Sequence, residues 1–386
     1  MIPLNIDLNM SSKFSFLTLV LLTVCHVSAA EQTTLPLEKL NLPAGYQISV
    51  FAQNVKNARQ MAVSQQGIVF VGSRDAGLVH AVIDANGDGV AEQVIKIASG
   101  LNMPSGLAIY QGDLYVAEVD RILKYADIEQ HYQNLPPPEV AVSGLPSEKH
   151  HGWKYIAFGP DGWLYVPVGA PCNICETNGG EQFDDPRFAS ILRFNLATGE
   201  KQWVARGVRN SVGFDWHPVT QQFWFSDNGR DMLGDDIPPC ELNAVTVPGE
   251  HFGFPYFHGG SLADPHFGQG KNSATYTAPK LNLMAHVAPL GIHFYAGTMF
   301  DPKMQNRLFV AEHGSWNRTQ KSGYRVMMAT VENGKVSDYQ PFVEGWLNSD
   351  NTAWGRPAAI TSLADGSLLI ADDFANVIYR ITYHQP

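Results

Sequence analysis

Charged residues are scarce in this chain of 386 residues, at 16%, and positive ones are the scarcer, with 26 Lys and Arg against 37 Asp and Glu. The net charge of -11 argues against nucleic acid or an anionic membrane surface as a partner. Cysteine is also rare, at four residues, which excludes a disulfide-dense small-domain scaffold. Beyond residue 30 no apolar run is long enough to cross a bilayer, so the sequence predicts no membrane span.

The longest apolar run lies near the N-terminus, at residues 14–24, and is itself too short to span a bilayer. Lys13 precedes it, and small residues at 28–30 follow it. This order is typical of an export signal. The sequence therefore predicts a signal peptide over residues 1–30, a single mature domain over residues 31–386 and a periplasmic location.

What the chain does have is one short pattern repeated six times: a strand such as GLAIY, a turn on Gly or Asn, and a second strand such as LYVAE. The copies begin at Asn57, Met103, His150, Arg209, Ala288 and Arg356. Each copy is typical of two strands joined by a tight turn. Self-similarity of this kind indicates a β-propeller with one copy per blade, so we predict an all-β, six-bladed propeller.

Two further segments complete the predicted propeller. Residues 45–53 and 376–384 both have strand patterns, and their pairing would close the last blade. Residues 229–286 make the interval between the fourth and fifth copies far longer than the others, and they are rich in Pro, Gly, His and aromatics. Long segments of this kind are usually functional. We predict a long insertion between blades 4 and 5 that folds over one mouth of the channel.

The repeats also locate that mouth, because the start of a hairpin's first strand and the end of its second lie at the same edge. One predicted ring precedes the first strands and contains Arg59, His150, His151, Arg209, Asn210 and Arg356. The other follows the second strands and contains Asp75, Glu118, Asp227, Glu312, His313, Asp372 and Asp373. The six copies share the same strand and turn pattern but carry different charged residues at this edge. This combination predicts a binding site for an anionic ligand, alone or with a metal.

Four side chains of the first ring are candidates for chemistry. Arg209 and Arg356 could each hold a carboxylate or a quinone oxygen with two donors, and the alternative for both is an ion pair between blades. His150 and His151 ordinarily titrate near neutral pH, so either could take a proton from an alcohol. The alternative for the histidines is a structural role, such as packing on Trp153.

Three loops carry possible ligands or bridges. The oxygen-rich loop 226–236 could bind Ca²⁺, or could be a solvated acidic loop. Residues 84–92 resemble a calcium loop without its last Glu, so a plain turn is the favoured interpretation. PCNICE lacks the His that haem attachment requires, and we interpret it as a structural staple. Which two of Cys172, Cys175 and Cys240 pair stays open.

Several of these stretches together resemble a known family. The ordered series HHGWKYIAFGPDGWLYVPVGAPCNIC, GVRNSVGFDWHP, AEHGSWNR and GRPAAI is similar to the sorbosone dehydrogenase group of pyrroloquinoline quinone (PQQ) enzymes. That group resembles the soluble aldose and glucose dehydrogenases, and the match runs over about residues 45–384. The resemblance implies a PQQ- and Ca²⁺-dependent dehydrogenase that oxidises an aldose or a sugar-derived aldehyde or alcohol. Electrons would leave to a quinone or cytochrome acceptor.

The resemblance also implies roles for single residues. A histidine would take the proton of the substrate hydroxyl while a hydride passes to a quinone carbon polarised by Ca²⁺. His150 matches the position of this base, and His151, one residue away, stays open. The implied catalytic set is His150, His151 and Arg209. The implied cofactor-binding set is Arg209, Asn210, Arg356, His313 and Arg318. The implied metal-binding set is Asn228, Gly229, Arg230, Asp235 and Asp236.

The chain departs from the glucose enzymes at three places. Lys149 stands where an Asp precedes their base, Ala358 replaces the second arginine of their last blade, and their quinone-contacting lysine has no clear equivalent, so His313 or Arg318 would substitute for it. The CNIC loop is absent from those enzymes and favours the sorbosone-like subgroup. The sugar is left unassigned.

Two other functions are compatible with a propeller of this kind. One is a lactonase with a single metal at the mouth, for which Glu118, Asp227 and Asp372 could supply ligands. The arginine-rich ring is poorly explained by a neutral lactone. The other is a non-catalytic propeller that binds sugars or proteins.

Overall fold

Among the residues that the structure describes, nearly every regular element is a β-strand, as the repeats predict. The computed structural model describes residues 34–385 together with residues 1, 2 and 4, so nearly all of the predicted signal peptide lies outside the described residues. The helical elements of the described part are short: α1 (Ile128–His131) and 3-10 turns at Leu37–Lys39, Ser273–Thr275 and Pro302–Met304. Among these residues no helix has the length and apolar character needed to cross a membrane.

The first strand in the chain, β1 (Tyr46–Gln53), belongs to the last blade. Blade 1 follows with β2 (Ala58–Val63), β3 (Val69–Ser73), β4 (Leu78–Ile83) and β5 (Gln93–Ser99). Blade 2 contains β6 (Gly106–Tyr110), β7 (Asp113–Ala117), β8 (Ile122–Tyr125) and β9 (Glu139–Val142). Each blade is an antiparallel meander whose first two strands are a predicted hairpin.

Blade 3 contains β10 (Ala157–Phe158), β11 (Leu164–Val168), β12 (Ser190–Phe194) and β13 (Lys201–Arg206). Blade 4 begins with β14 (Phe214–Trp216), β15 (Phe223–Asp227) and β16 (Pro239–Ala244). The chain then leaves the blade for β17 (Glu250–His251), β18 (Phe257–His258) and β19 (Leu262–Ala263). It returns with β20 (Leu281–Ala285), the fourth strand of the blade.

The long insertion is therefore present, but it leaves from within blade 4, between β16 and β20. The predicted segment 229–286 included these two strands, because β16 is a short run, PCELNA, whose buried residues include the polar Glu241 and Asn243. Strand β17 pairs in parallel with β13 of blade 3, and β18 pairs with β19. The insertion thus spans the edge of two neighbouring blades.

Blade 5 contains β21 (Pro289–Phe294), β22 (Leu308–Glu312), β23 (Arg325–Glu332) and β24 (Lys335–Glu344). Blade 6 contains β25 (Pro357–Ser362), β26 (Leu368–Asp372) and β27 (Val377–Tyr383), and β1 supplies its fourth strand. Strand β1 pairs antiparallel with β27, with Ile48 opposite Ile381. The predicted closure by the two ends of the domain is confirmed, and the architecture is a six-bladed β-propeller.

The hydrophobic core consists of clusters between neighbouring blades. The second strands β3, β15 and β26 are buried along their whole length, as their short apolar runs predict. Three buried clusters join blades 1 and 2, 3 and 4, and 4 and 5. They contain Phe70 together with Leu107, Phe214 together with Ile191, and Trp224 together with Ile292, respectively. The outer strand β24 is largely exposed.

Glycines allow the innermost strands to approach each other closely. A Cβ placed on Gly213 would lie 2.1 Å from the carbonyl oxygen of Leu290 in the next blade, and one on Gly291 would lie 2.7 Å from the Cα of Ala359. No side chain fits at these distances. The repeated Gly of the hairpin pattern is therefore a packing requirement between blades.

Candidate active site

A cavity of about 280 Å³ opens at the edge where the hairpins were predicted to bring their charged residues together. Five of the six blades contribute to its wall. The lining residues that carry polar or aromatic groups are Arg59, Arg74, His151, Trp153, Arg209, Asn210, Asn228, Asp231, His286, His313, Trp316 and Arg356. Four of these are arginines, so the cavity is cationic in a protein whose net charge is negative.

One side of the cavity is built around Asp373, which follows the last strand of the sixth hairpin. Its carboxylate lies 2.7 Å from the guanidinium of Arg59 and 2.7 Å from Nε2 of His313. Burial alone would raise the pKa of Asp373, but Arg59 and His313 outweigh it and lower this pKa. Burial lowers the pKa of His313 to about 4. Asp373 thus acts as the counter-ion that keeps Arg59 in the wall.

Two further arginines, Arg74 and Arg356, use only some of their guanidinium N–H groups in contacts with the protein. Arg74 lies over the ring of Trp153, with 4.6 Å between its Cζ and the ring centroid, and pairs with Asp75. Arg356 donates from Nε to the carbonyl of His313 at 3.0 Å and from Nη2 to that of Gly314 at 2.6 Å. These contacts fix both cations at the mouth.

Three buried polar atoms of cavity-lining residues have no hydrogen-bond partner. They are Nε of Arg59, Nε1 of Trp153 and Oδ1 of Asn210. An unpartnered buried donor or acceptor costs about 1–3 kcal/mol, so such atoms are rare in a folded protein. All three atoms belong to residues that line the same cavity, and together they are two donors and one acceptor without a partner in the protein.

The two candidate histidines take different positions. His151 lines the cavity and is buried, with Nδ1 2.8 Å from the carbonyl oxygen of Ala170, whereas His150 is exposed and is not among the cavity-lining residues. Because a carbonyl only accepts, Nδ1 must carry the proton, which leaves the lone pair on Nε2. Burial and the nearby charge of Arg209 lower the pKa of His151 well below its ordinary value.

Asp227 holds the backbone of Arg209 and Asn210 at the head of blade 4. Its carboxylate accepts their amide N–H groups at 2.8 and 2.6 Å. Burial and the neighbouring carboxyl group of Glu241 raise the pKa of Asp227 to about 8. The sequence predicted Asp227 at this edge, and its observed role is to shape the loop that carries Arg209.

The residues predicted to bind a metal are not gathered around one point. The carbonyl oxygens of Asn228 and Gly229 both accept from Nη1 of Arg209, at 3.2 and 3.0 Å. The guanidinium of Arg230 lies 2.6 Å from the buried Asp264. Asp235 instead accepts from Thr319, and Asp236 pairs with Arg318 at 2.7 Å, away from the lining of the mouth cavity.

Arg318 also lies away from that lining, and it borders a separate cavity near Lys321 and Glu344. Of the two residues predicted to replace the family's lysine, only His313 lines the mouth. The structure thus brings together His151, Arg209, Asn210, His313 and Arg356 with the loop 228–229. It separates them from Arg318, Asp235 and Asp236.

The carboxylates considered for a lactonase metal are each bound within their own blade. Glu118 accepts from the amide of Asn102 and pairs with Arg121. Asp372 accepts from two backbone amides and from the hydroxyl of Tyr379. Within the described part of the chain, the gathered set of three metal-ligand side chains is a different one, Asp84, Asp88 and Glu92, in the surface turn at 84–92.

The disulfide joins Cys172 to Cys175, and Cys240 is a buried free thiol in the wall of the mouth cavity. The interpretation of CNIC as a staple is therefore supported by the structure. Burial raises the pKa of Cys240 to about 11, so this thiol is protonated at neutral pH.

Sequence reasoning overlooked several residues of the wall, namely Arg74, Asp231, His286 and Trp316. Arg74 directly follows β3, and the hairpin argument could have found it in place of Asp75. Trp316 is 66% exposed at the rim, in the AEHGSWNR stretch. Asp231 lies in the loop between β15 and β16, within the segment 226–236 that was predicted only as a possible Ca²⁺ loop, and His286 directly follows β20, where no repeat pattern marks the edge.

The chain belongs to the TrAA12-like family, whose profile matches residues 40–256 and 263–383. A protein of Borreliella burgdorferi, named only as an uncharacterized protein, is 35% identical over 392 residues, covering 97% of this chain and 98% of that protein. A pyrroloquinoline quinone-dependent pyranose dehydrogenase of Coprinopsis cinerea is 22% identical over 412 residues. That match covers 90% of this chain, which spans only 55% of the fungal enzyme's length.

Solved structures share the architecture. An iodide structure of a Trichoderma reesei protein of Carbohydrate-Active Enzymes Family AA12 has a TM-score of 0.74 at 20% identity, over 89% of this chain and 98% of that one. The holo PQQ domain of the Coprinopsis cinerea pyranose dehydrogenase gives 0.71 at 17%, over 89% and 97%. A PQQ-bound aldose sugar dehydrogenase from Streptomyces coelicolor gives 0.62 at 20%, over 89% and 100%. At these identities the likeness establishes the fold.

Proposed function

We propose that this protein is an exported, PQQ-dependent dehydrogenase that oxidises an aldose or a sugar-derived aldehyde or alcohol, and that it belongs to the sorbosone dehydrogenase-like subgroup. The observation that carries the proposal is the mouth cavity with its four arginines and three unpartnered polar atoms. Family membership supports the reaction class, because relatives of the same fold are named as PQQ-dependent pyranose and aldose sugar dehydrogenases.

The residues of the wall fit PQQ, a planar quinone that carries several carboxyl groups. Arg59, Arg74 and Arg356 would offer charge-assisted hydrogen bonds to carboxylate and quinone oxygens. The unpartnered donors on Arg59 and Trp153 suit acceptor oxygens, and Oδ1 of Asn210 suits an N–H group or a cation. His313 would line the same cofactor, held by Asp373.

Ca²⁺ fits the wall only in part. It takes about six to eight oxygen ligands, and the wall offers it the carbonyls of Asn228 and Gly229 and the side-chain oxygen of Asn210. The two carbonyls would be shared with the guanidinium of Arg209, and Asp235 and Asp236 are engaged elsewhere. We therefore propose that Ca²⁺ binds together with the cofactor, which would supply the further oxygen ligands that the wall lacks.

His151 is the residue that we assign as general base. Its neutral ring, with the lone pair on Nε2, can take the proton of a substrate hydroxyl or of a hydrated aldehyde. The hydrogen bond from Nδ1 to Ala170 fixes the ring and its tautomer while the proton moves. The chemistry that PQQ supplies when bound is the acceptance of a hydride.

Export and the electron acceptor complete the proposal. The apolar run 14–24 and the disulfide between Cys172 and Cys175 support a periplasmic location. The acceptor would be a separate quinone or cytochrome. The sugar would enter through the rim near Trp316, whose exposed ring offers an apolar surface to a pyranose.

The test is a titration of purified apoprotein with PQQ, followed by absorbance and by tryptophan fluorescence, with Ca²⁺ and with EDTA. We expect PQQ to bind saturably both with Ca²⁺ and with EDTA, and to bind more tightly with Ca²⁺. A dye-reduction assay with a sugar panel then checks turnover. Absence of PQQ binding in both arms would overturn the proposal.

The alternative functions predict other results. A lactonase would hydrolyse a lactone without PQQ and lose this activity in EDTA. A non-catalytic propeller would bind sugar without reducing the dye even when loaded with PQQ. We favour the dehydrogenase because the lactonase carboxylates are bound within their own blades, whereas the arginines and the unpartnered atoms line one cavity.

A further inference from the structure

The guanidinium of Arg209 makes hydrogen bonds with all three of its nitrogens to the protein itself. Nε donates to the carbonyl of Asn173 at 2.9 Å, and Nη1 donates to the carbonyls of Asn228 and Gly229. Nη2 donates to Oδ1 of Asn173 at 2.9 Å and to Asp231 at 3.3 Å. A guanidinium has five N–H groups, and these five hydrogen bonds use all of them. None is left to form a bidentate hydrogen bond with a ligand. Arg209 is therefore a brace in the wall of the cavity.

Asn173 is the main anchor of this brace, and it does not itself line the cavity. Besides its two contacts with Arg209, its Oδ1 accepts from the amide of Asp231 at 2.9 Å, and its Nδ2 donates to the carbonyl of Asp231 at 3.1 Å. One amide side chain thus fixes an arginine and the backbone of the neighbouring loop at once. No apolar or charged side chain of similar size could accept and donate in this pattern.

The position of Asn173 is itself restrained. It lies between Cys172 and Cys175, whose disulfide closes a loop with only one other residue inside it, Ile174. Ile174 packs against a small cluster with Ala170 and Phe254 and makes none of the contacts to Arg209. The disulfide therefore limits the movement of the residue that holds the cation.

The backbone end of Arg209 is fixed independently by Asp227. Only the guanidinium, the carbonyls that it holds and the loop at Asp231 depend on Asn173. These groups form one continuous side of the mouth cavity, together with His286, whose Nδ1 lies 3.8 Å from Asp231. A shift of Asn173 would move this side of the wall and leave the arginines of blades 1 and 6 in place.

We propose that Asn173 is a positioning residue for the ligand of the mouth cavity, that it acts through Arg209 and Asp231, and that the Cys172–Cys175 disulfide holds it in place. The inference rests on the proposed function, since PQQ is the ligand used to test it. It gives the CNIC loop a role in binding beyond that of a staple.

The experiment compares Asn173→Ala with Ile174→Ala, a matched change in the same loop. We expect the Kd for PQQ to rise about tenfold in Asn173→Ala, as the loss of hydrogen bonds to a charged group implies, and to change less than twofold in Ile174→Ala. At saturating PQQ, kcat should recover to within about threefold, because no group that touches the reacting atoms is removed. Equal Kd values for Asn173→Ala and the wild type would overturn the proposal, as would equal weakening by Ile174→Ala.

A second measurement does not need PQQ. In isotope-labelled apoprotein, the Nη2–H signal of Arg209, which reports the hydrogen bond to Oδ1 of Asn173 and is assigned by its loss in Arg209→Lys, should exchange slowly with solvent in the wild type and in Ile174→Ala. It should exchange faster in Asn173→Ala and in wild-type protein whose disulfide has been reduced with dithiothreitol. In the control, a Cys172→Ser/Cys175→Ser double variant, adding dithiothreitol should leave the exchange rate unchanged. Unchanged exchange in Asn173→Ala would overturn the brace. Failure of the wild type to bind PQQ, with the exchange pattern intact, would overturn the proposed function alone.

Discussion

At the scale of single residues, His150 and His151 differ in whether the ring lines the mouth cavity, and on this difference we base the proposed role of His151. His151 has a backbone φ of 50°, in the left-handed region, and its ring is buried beside Ala170. His150 is adjacent in sequence, with 4.1 Å between the two ring centroids, yet it is exposed. A count from the following turn identified His150, because a count along the chain cannot show which way an unusual backbone turns a side chain.

His151→Ala should lower kcat by about 10²- to 10⁴-fold, the usual contribution of a general base, while His150→Ala should change kcat less than tenfold. The physical reason is that only His151 lines the cavity with a free Nε2 lone pair. Steady-state dye reduction at saturating PQQ and sugar measures both variants. A larger loss of kcat in His150→Ala than in His151→Ala would indicate that His150 is the base.

The pH dependence of kcat/KM gives a separate check on the same ring. The pKa of His151 is lowered by burial and by Arg209, so the ring stays neutral and basic as the pH falls through its ordinary value of about 6.5. We expect kcat/KM to stay level between about pH 8 and 6.5 and to fall only at lower pH, as the ring becomes protonated. An acid limb centred at or above about pH 6.5, absent in His151→Ala, would contradict this.

Arg59 provides a prediction about binding. Its buried Nε has no partner within the protein, so a ligand oxygen would gain a charge-assisted hydrogen bond there. Arg59→Gln should weaken PQQ binding by about 10- to 150-fold. Arg59→Lys, which retains a charge opposite Asp373 but has no Nε–H, should also weaken PQQ binding.

The control variant is Arg193→Gln. Arg193 lies in the outer part of blade 3, where it pairs with Asp161. Equal Kd values for both glutamine variants would contradict the assignment.

The sequence identified most of the polar wall, since Arg59, Arg209, Arg356 and His313 all occupy the edge that the hairpins define. It did not identify what each guanidinium binds. Arg209 was predicted to grip a ligand, whereas its donors are used by Asn173, Asp231 and two backbone carbonyls. Such contacts join residues from separate loops, and no spacing within the sequence encodes them.

At the scale of the elements, the inner hairpins were predictable and the outer strands were less so. The inner strands carry short apolar runs because they are buried between blades, as β3 shows. The outer strands are exposed on one face and vary in length, and β16 contains buried polar residues. This is why the insertion was assigned to a boundary between blades rather than to the interior of blade 4.

Gly213→Ala tests the packing between blades 4 and 5. A Cβ at this position would lie 2.1 Å from the carbonyl oxygen of Leu290, which belongs to a strand and cannot rotate away. We expect the free energy of unfolding to fall by about 1–3 kcal/mol, as for overpacking in a core. Denaturant unfolding of the apoprotein measures it, and Val219→Ala, at a side chain that is 72% exposed in the same blade, should change it by less than about 0.5 kcal/mol. Similar stability of the two variants would show that the blades can separate to accept the methyl group.

At the scale of the whole molecule, five of the six blades line one cavity, so a ligand that contacts several of them should stabilise the propeller as a unit. The wall draws on blades 1, 3, 4, 5 and 6, and the chain closes by pairing β1 with β27 in blade 6. A ligand that binds only the folded state at about 100 times its Kd adds about 2.7 kcal/mol to the free energy of unfolding. We expect PQQ at that excess to raise Tm by several degrees in a single cooperative transition, and Arg59→Gln to need a proportionally higher PQQ concentration for the same rise. EDTA should reduce the PQQ-induced increase in Tm only by the amount that its effect on the Kd for PQQ, measured in a direct titration, accounts for. Two separate transitions, or a rise confined to one of them, would show that the cofactor site is coupled to only part of the propeller.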